Sequence, residues 1–207
     1  MYTLLDLAPA SAPGSQPHPV NRWQGRLITA GGVVFAIGNA LHPLEHTDAA
    51  YDHPTWEAAH LLILASIPML VVGLPAVHRM LAGRVSNRLA VLPVVAVMVG
   101  LIGIAPGTVI ETFVAPLIGN TAMDDLASGG MGVLDGLFGS AFLGGTVALG
   151  WALRRAQIRP AWIGSALMVL GGVLLVSMGL TGPVGGVVII AATVAYGSAL
   201  ATLGTRA

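Results

Sequence analysis

The chain predicts an all-α, polytopic transmembrane bundle of six spans with both termini on the cytoplasmic side. Three observations carry this. First, its 207 residues are 55% hydrophobic and 9% charged, whereas a water-soluble domain carries about a quarter charged residues. Second, apolar runs long enough to cross a hydrocarbon layer of about 30 Å, roughly 20 helical residues, recur along it. Third, all its basic residues are arginines, and they fall at alternate ends of those runs.

The stretch 1–26 reads as a flexible tail: Pro9, Pro13, Pro17, Pro19 and Gly14 interrupt it, and no helical period emerges. The rest, 27–207, reads as one domain. A secretory leader would need basic residues near Met1, but the first is Arg22, so the run from Leu27 is taken as a span despite the loose cleavage signature Gly38-Asn39-Ala40. The expected spans are Leu27 to His42, Trp56 to Met80, Leu89 to Val114, Met131 to Leu153, Ala161 to Leu180 and Val184 to Leu203.

Arg22 and Arg26 precede the first span. Arg79, Arg84 and Arg88 join the second to the third, Arg154, Arg155 and Arg159 join the fourth to the fifth, and Arg206 follows the sixth. The positive-inside rule makes that shared side cytoplasmic, which suits a plasma membrane protein. Trp23, Trp56, Trp151 and Trp162 each fall at a span end and read as an interfacial aromatic belt. Pro68 and Pro75 should break the second span and Pro106 the third, opening space beneath the outer face. Glycines inside the spans, including GxxxG spacings at Gly103/Gly107 and Gly132/Gly136, suit close helix packing in lipid.

Composition also excludes functions. Zero net charge and the absence of lysine leave no basic stripe for nucleic acid. The absence of cysteine removes disulfides, thiolate metal sites, covalent haem attachment and cysteine nucleophiles. Any metal must therefore be held by nitrogen and oxygen. Ser140 and Ser165 have no histidine at matching depth, which argues against a serine hydrolase.

Chemistry collects at the outer face. Between the first two spans lie His42, Glu45, His46, Asp48, Asp52, His53, Glu57 and His60; the remaining histidines are His18 in the tail and His78 beside Arg79. Counting from the nearest arginine at about 1.5 Å per helical residue places His42, His60, Glu111 and Asp135 roughly 24 to 35 Å from the inner face. Four different spans thus bring an ionisable residue to one level, where such groups are costly unless paired, hydrated or liganding. Glu57 and His60, at i and i+3, should share a helix face, as in half of a di-iron carboxylate motif. His46 and His53, with Asp48, Asp52, Asp124 and Asp125, read as ordinary loop residues. His42-Pro43-Leu44-Glu45-His46 has the H-x-x-E-H spacing of a metalloprotease helix, but Pro43 is at odds with a regular helix there.

Three functions fit these residues. The leading one is a site of His42, Glu57, His60 and Glu111 for a transition metal (Fe, Zn, Cu or Mn), or His42 and His60 facing each other across a b-type haem, with redox or Lewis-acid chemistry on a small or lipid-soluble substrate. The second is a metal-free enzyme in which Glu57, Glu111 and Asp135 serve as general acids and bases on a lipidic substrate. The third is a non-catalytic membrane subunit or small-solute transporter.

Overall fold

A computed structural model describes residues 22–45, 47–177 and 182–207. The expected tail up to residue 21, with His18, and the loop histidine His46 lie outside the described residues. Of the described residues, 86% are helical. The elements are α1 (Arg22–Leu41), α2 (Asp48–Tyr51), α3 (Trp56–Gly73), α4 (Pro75–Leu81), α5 (Asn87–Phe113), α6 (Ala115–Ser128), α7 (Gly130–Arg155), α8 (Ala161–Ser177) and α9 (Gly182–Gly204). Four of them, α3, α5, α7 and α9, are long and apolar enough to cross a membrane. This is the fold of a membrane-embedded helical protein.

The local stops follow from residue chemistry. The Ser86 hydroxyl accepts the Leu89 N–H and starts α5. Pro75 occupies the first turn of α4 and separates it from α3, so the expected second span is two helices joined at Leu74. The stretch after the third span, expected as a loop, is the helix α6, bent where Gly119 takes φ 77°. Its Pro116 sits in the first turn, where a missing N–H costs nothing. Residues 22–26 belong to α1, so Arg22 and Arg26 extend the first helix.

Helices α1, α3, α5, α7, α8 and α9 close into a ring in which sequence neighbours are spatial neighbours and α9 returns to pack on α1. Glycine sets most of the seams. A Cβ at Gly197 would meet the Gly32 carbonyl at 2.8 Å across α1/α9, and one at Gly38 would meet the Ala59 carbonyl at 3.0 Å across α1/α3. On α5/α7, Cβ atoms at Gly100 and Gly145 would collide with the Phe142 and Val97 backbones. These approaches let backbones touch where apolar side chains gain little from leaving lipid. The GxxxG spacings themselves contribute unevenly, because Gly103 faces Phe138 while Gly136 has open space.

The α3/α5 seam is held differently, by the Trp56 indole N–H donating to the Glu111 carbonyl at 3.2 Å. Toward the arginine end the ring is filled by Leu70, Leu74, Val97, Leu149, Leu153 and Leu200. Outward, Leu92, Val99, Ile102, Leu137 and Val187 are exposed, as a lipid-facing surface requires. Toward the other end the ring is open inside, and α2 and α6 lie together over that end.

Candidate functional site

The opening inside the ring is a cavity of about 730 Å³. Every helix of the ring contributes to its wall: Phe35 from α1, Ile67 from α3, Ile104 from α5, Phe142 from α7, Met168 from α8 and Ile190 from α9. The wall is apolar at depth and polar at the mouth. There His42, His60 and Glu111 meet, with Glu45, Asn39 and Thr108 nearby on the lining.

His42 directly follows the end of α1, His60 opens the second turn of α3, and Glu111 lies in the last turn of α5. His60 Nε2 is 3.3 Å from His42 Nε2 and 3.4 Å from Glu111 Oε2. His60 is 1% exposed, whereas the Glu111 side chain is 40% exposed. Trp56 packs at a tilt against both rings, its ring centre 4.2 Å from that of His60 and 5.8 Å from that of His42.

The other ring nitrogens fix the tautomers. His42 Nδ1 lies 2.8 Å from the Pro43 carbonyl, and His60 Nδ1 lies 2.8 Å from the Trp56 carbonyl. A carbonyl oxygen only accepts, so both Nδ1 atoms carry their protons and donate. In the neutral rings both Nε2 atoms then present lone pairs, and these converge at 3.3 Å. Two lone pairs repel at that distance. A cation between them, either a proton on one Nε2 or a metal ion, would relieve that repulsion, and the Glu111 carboxylate lies on the same side.

Among the described residues no group of three or more His, Asp or Glu side chains is placed so as to hold a metal ion. What is assembled is a chain of two contacts, His42 to His60 to Glu111. Both contacts nonetheless approximate the edge of a ligand tetrahedron, about 3.3 Å for metal–ligand bonds of about 2.0 to 2.1 Å. A haem fits less well. Two imidazoles on opposite faces of one iron need nitrogens about 4 Å apart at similar bond lengths, and here the two rings are in direct contact, with centres 4.7 Å apart.

Glu57 and Asp135 stand apart from this cluster. Both are exposed and neither lines the cavity. For Glu57 the reason is angular: at about 100° per residue it lies about 60° to one side of His60 and Trp56 about 40° to the other, and the side that packs against the cluster is that of Trp56. Asp135 lies on α7, whose packed contacts with α5 run through Gly100, Gly103 and Gly145. The loop residues divide as well. His53 stays exposed and pairs with Thr55 Oγ1 at 2.8 Å, while Asp48 accepts the Asn120 N–H at 2.7 Å and so ties α2 to α6.

Sequence reasoning missed Trp56. Assigned to the aromatic belt, it is 2% exposed and packs against both imidazoles of the site. Trp23 and Trp151 are half exposed, as belt residues should be. Asn39 and Thr108 were also missed. Each precedes a cluster residue by three positions, His42 and Glu111 respectively, a helix-face signal available in the sequence.

Tyr51 closes the outer side by donating to Asn120 Oδ1. Desolvation, followed by the negative charges of Asp48, Glu111 and Asp124, pushes its phenol above the ordinary value of 10.0. Comparison with known proteins gave no match: no family model, no curated protein and no solved structure resembles this chain significantly.

Proposed function

We propose that this is a six-span plasma membrane protein, both termini cytoplasmic, in which His42, His60 and Glu111 hold a divalent transition metal at the extracytoplasmic mouth of an apolar cavity. The convergence of two Nε2 lone pairs, each ring oriented by a carbonyl behind it, carries the reading. Metal-bound histidines are held in this way, with the second ring nitrogen donating to a backbone carbonyl or carboxylate. Two histidines and a glutamate leave a coordination position for water or substrate. A metal there acts as a Lewis acid on an oxygen of a lipid-soluble substrate whose apolar part occupies the cavity. The Arg-free mouth and the arginine-rich opposite end favour this orientation.

Metal analysis of the detergent-purified protein tests the reading. About one equivalent of metal is expected in wild type and a loss of it in His60→Asn. A wild type that neither retains nor is stabilised by zinc, manganese, iron or copper overturns it. A second reading is favoured by the linear order of the contacts: the shared cation is a proton, and Glu111 with His60 forms an acid–base pair for a metal-free reaction on the same substrate class. Of the carboxylates Glu57, Glu111 and Asp135, Glu111 alone lines the cavity. Under this reading, Glu111→Gln abolishes turnover in a metal-free protein.

A further inference from the structure

At the opposite end of the molecule, the seam between α7 and α8 carries two adjoining hollows. One, about 540 Å³, is lined by Arg154, Gln157, Arg159 and Trp162. The other, about 380 Å³, is a furrow running along the outside of α7 and α8 between Val147, Gly150, Ala166 and Leu170. Arg154 and Trp162 belong to both, so a polar pocket opens directly into an apolar groove. Gly150 makes the groove possible, since a Cβ there would lie 2.8 Å from Ser165 Cβ and push the helices apart.

Two features mark the polar part as a built receptor for an anion. Among the described residues no carboxylate forms an ion pair with Arg154 or Arg159, the pair of His60 with Glu111 lying at the far end. The Arg154 guanidinium is instead held 5.7 Å from the centre of the Trp162 ring. The second feature is the end of α7. Ile158 N–H donates to the Leu153 carbonyl at 2.8 Å and Gln157 N–H to the Arg154 carbonyl at 3.0 Å, a Schellman stop with Gln157 at φ 58°. Glycine is the usual and least strained residue in that position. Glutamine there places an amide at the rim of the basic pocket.

We propose that this seam binds an anionic phospholipid of the surrounding bilayer, its phosphate between Arg154 and Arg159 and one acyl chain along the furrow. Basic pockets between helices at a membrane surface recognise acidic headgroups in this manner. The apolar groove, whose rim residues Val147 and Leu170 are about half exposed, favours a lipid over a free anion, since inorganic phosphate would leave it unfilled.

The full chain in detergent, titrated separately with phosphatidylglycerol, phosphatidylcholine and inorganic phosphate while thermal stability is followed, tests the site. Each basic residue near a membrane surface contributes about fivefold, so a preference for phosphatidylglycerol over phosphatidylcholine of roughly 30-fold is expected. Arg154→Gln/Arg159→Gln should erase that preference, and Arg84→Gln/Arg88→Gln, at the same end but on another turn, should keep it. Leu170→Trp, which fills the furrow from its exposed rim, should weaken lipid binding with both arginines intact. Equal response to the two lipids, equal loss in both arginine pairs, or stabilisation by inorganic phosphate matching that by phosphatidylglycerol would each overturn the proposal.

Discussion

Replacing His42 by Phe separates the fold of the site from the cation proposed for it. Phe keeps a ring of similar shape between Trp56 and His60, whose centres lie 5.8 and 4.7 Å from that of His42. It removes the Nδ1 donor to Pro43, worth roughly 0.5 to 1.5 kcal/mol, and it also removes one of the two opposed Nε2 lone pairs. These effects oppose each other, so the metal-free variant should stay within about 1 kcal/mol of wild type. Metal changes the comparison. At a concentration 100 times Kd, binding stabilises the folded state by about 2.7 kcal/mol. For a chain of this length that is a rise in Tm of roughly 5 to 10 °C, which the variant should lack. The assay is a thermal melt in detergent, with chelator or with each candidate metal, monitored by tryptophan fluorescence. A rise in His42→Phe equal to that of wild type refutes the placement of the metal. A loss of several kcal/mol in the chelated variant refutes the argument that the imidazole pair is strained without a cation.

Three further outcomes follow from the geometry. Trp56→Phe deletes the indole donor to the Glu111 carbonyl, so metal affinity should fall roughly tenfold, the lower end for loss of an outer-shell partner, as read by competition with a chelator. Gly100→Ala forces a Cβ to within 2.6 Å of the Phe142 backbone and should cost about 1 to 3 kcal/mol. Gly139→Ala enters open space and should gain up to about 1 kcal/mol in helix propensity; equal unfolding midpoints for the two variants would sink the seam argument. Tyr51 supplies a pH signature. Its folded-state value lies above the ordinary 10.0, so above pH 10 the unfolded chain loses the phenolic proton first and stability falls as pH rises. Below pH 10 the tyrosine contributes no slope. Stability measured from pH 9 to 11.5 should show the decline in wild type and a shallower one in Tyr51→Phe.

How much of this was legible beforehand depends on which coordinate a residue pattern can encode. Axial position was legible. Arginines at one end of each run and a rise per residue place His42, His60 and Glu111 at one height, and in the structure α1, α3 and α5 bring them into contact. Azimuth was not, because helices that are apolar all round carry no amphipathic stripe to orient them. Asp135 therefore shares the level of the cluster yet lies beside Gly107 of α5 and outside the cavity, and Glu57, close to His60 in sequence, is exposed. The information that fixes azimuth sits in the glycines, since each turns the helix face that can approach a neighbour. It is readable only once the partner backbone is known: Gly32 means something beside Gly197, and Gly100 beside Phe142. At the α3/α5 seam an indole takes the place of a glycine contact. A large aromatic residue holds these helices by a side-chain hydrogen bond, which leaves room between them for two imidazoles and a carboxylate. The exception to the packing rule thus coincides with the chemistry, as expected where a fold gives up close packing to position reactive groups.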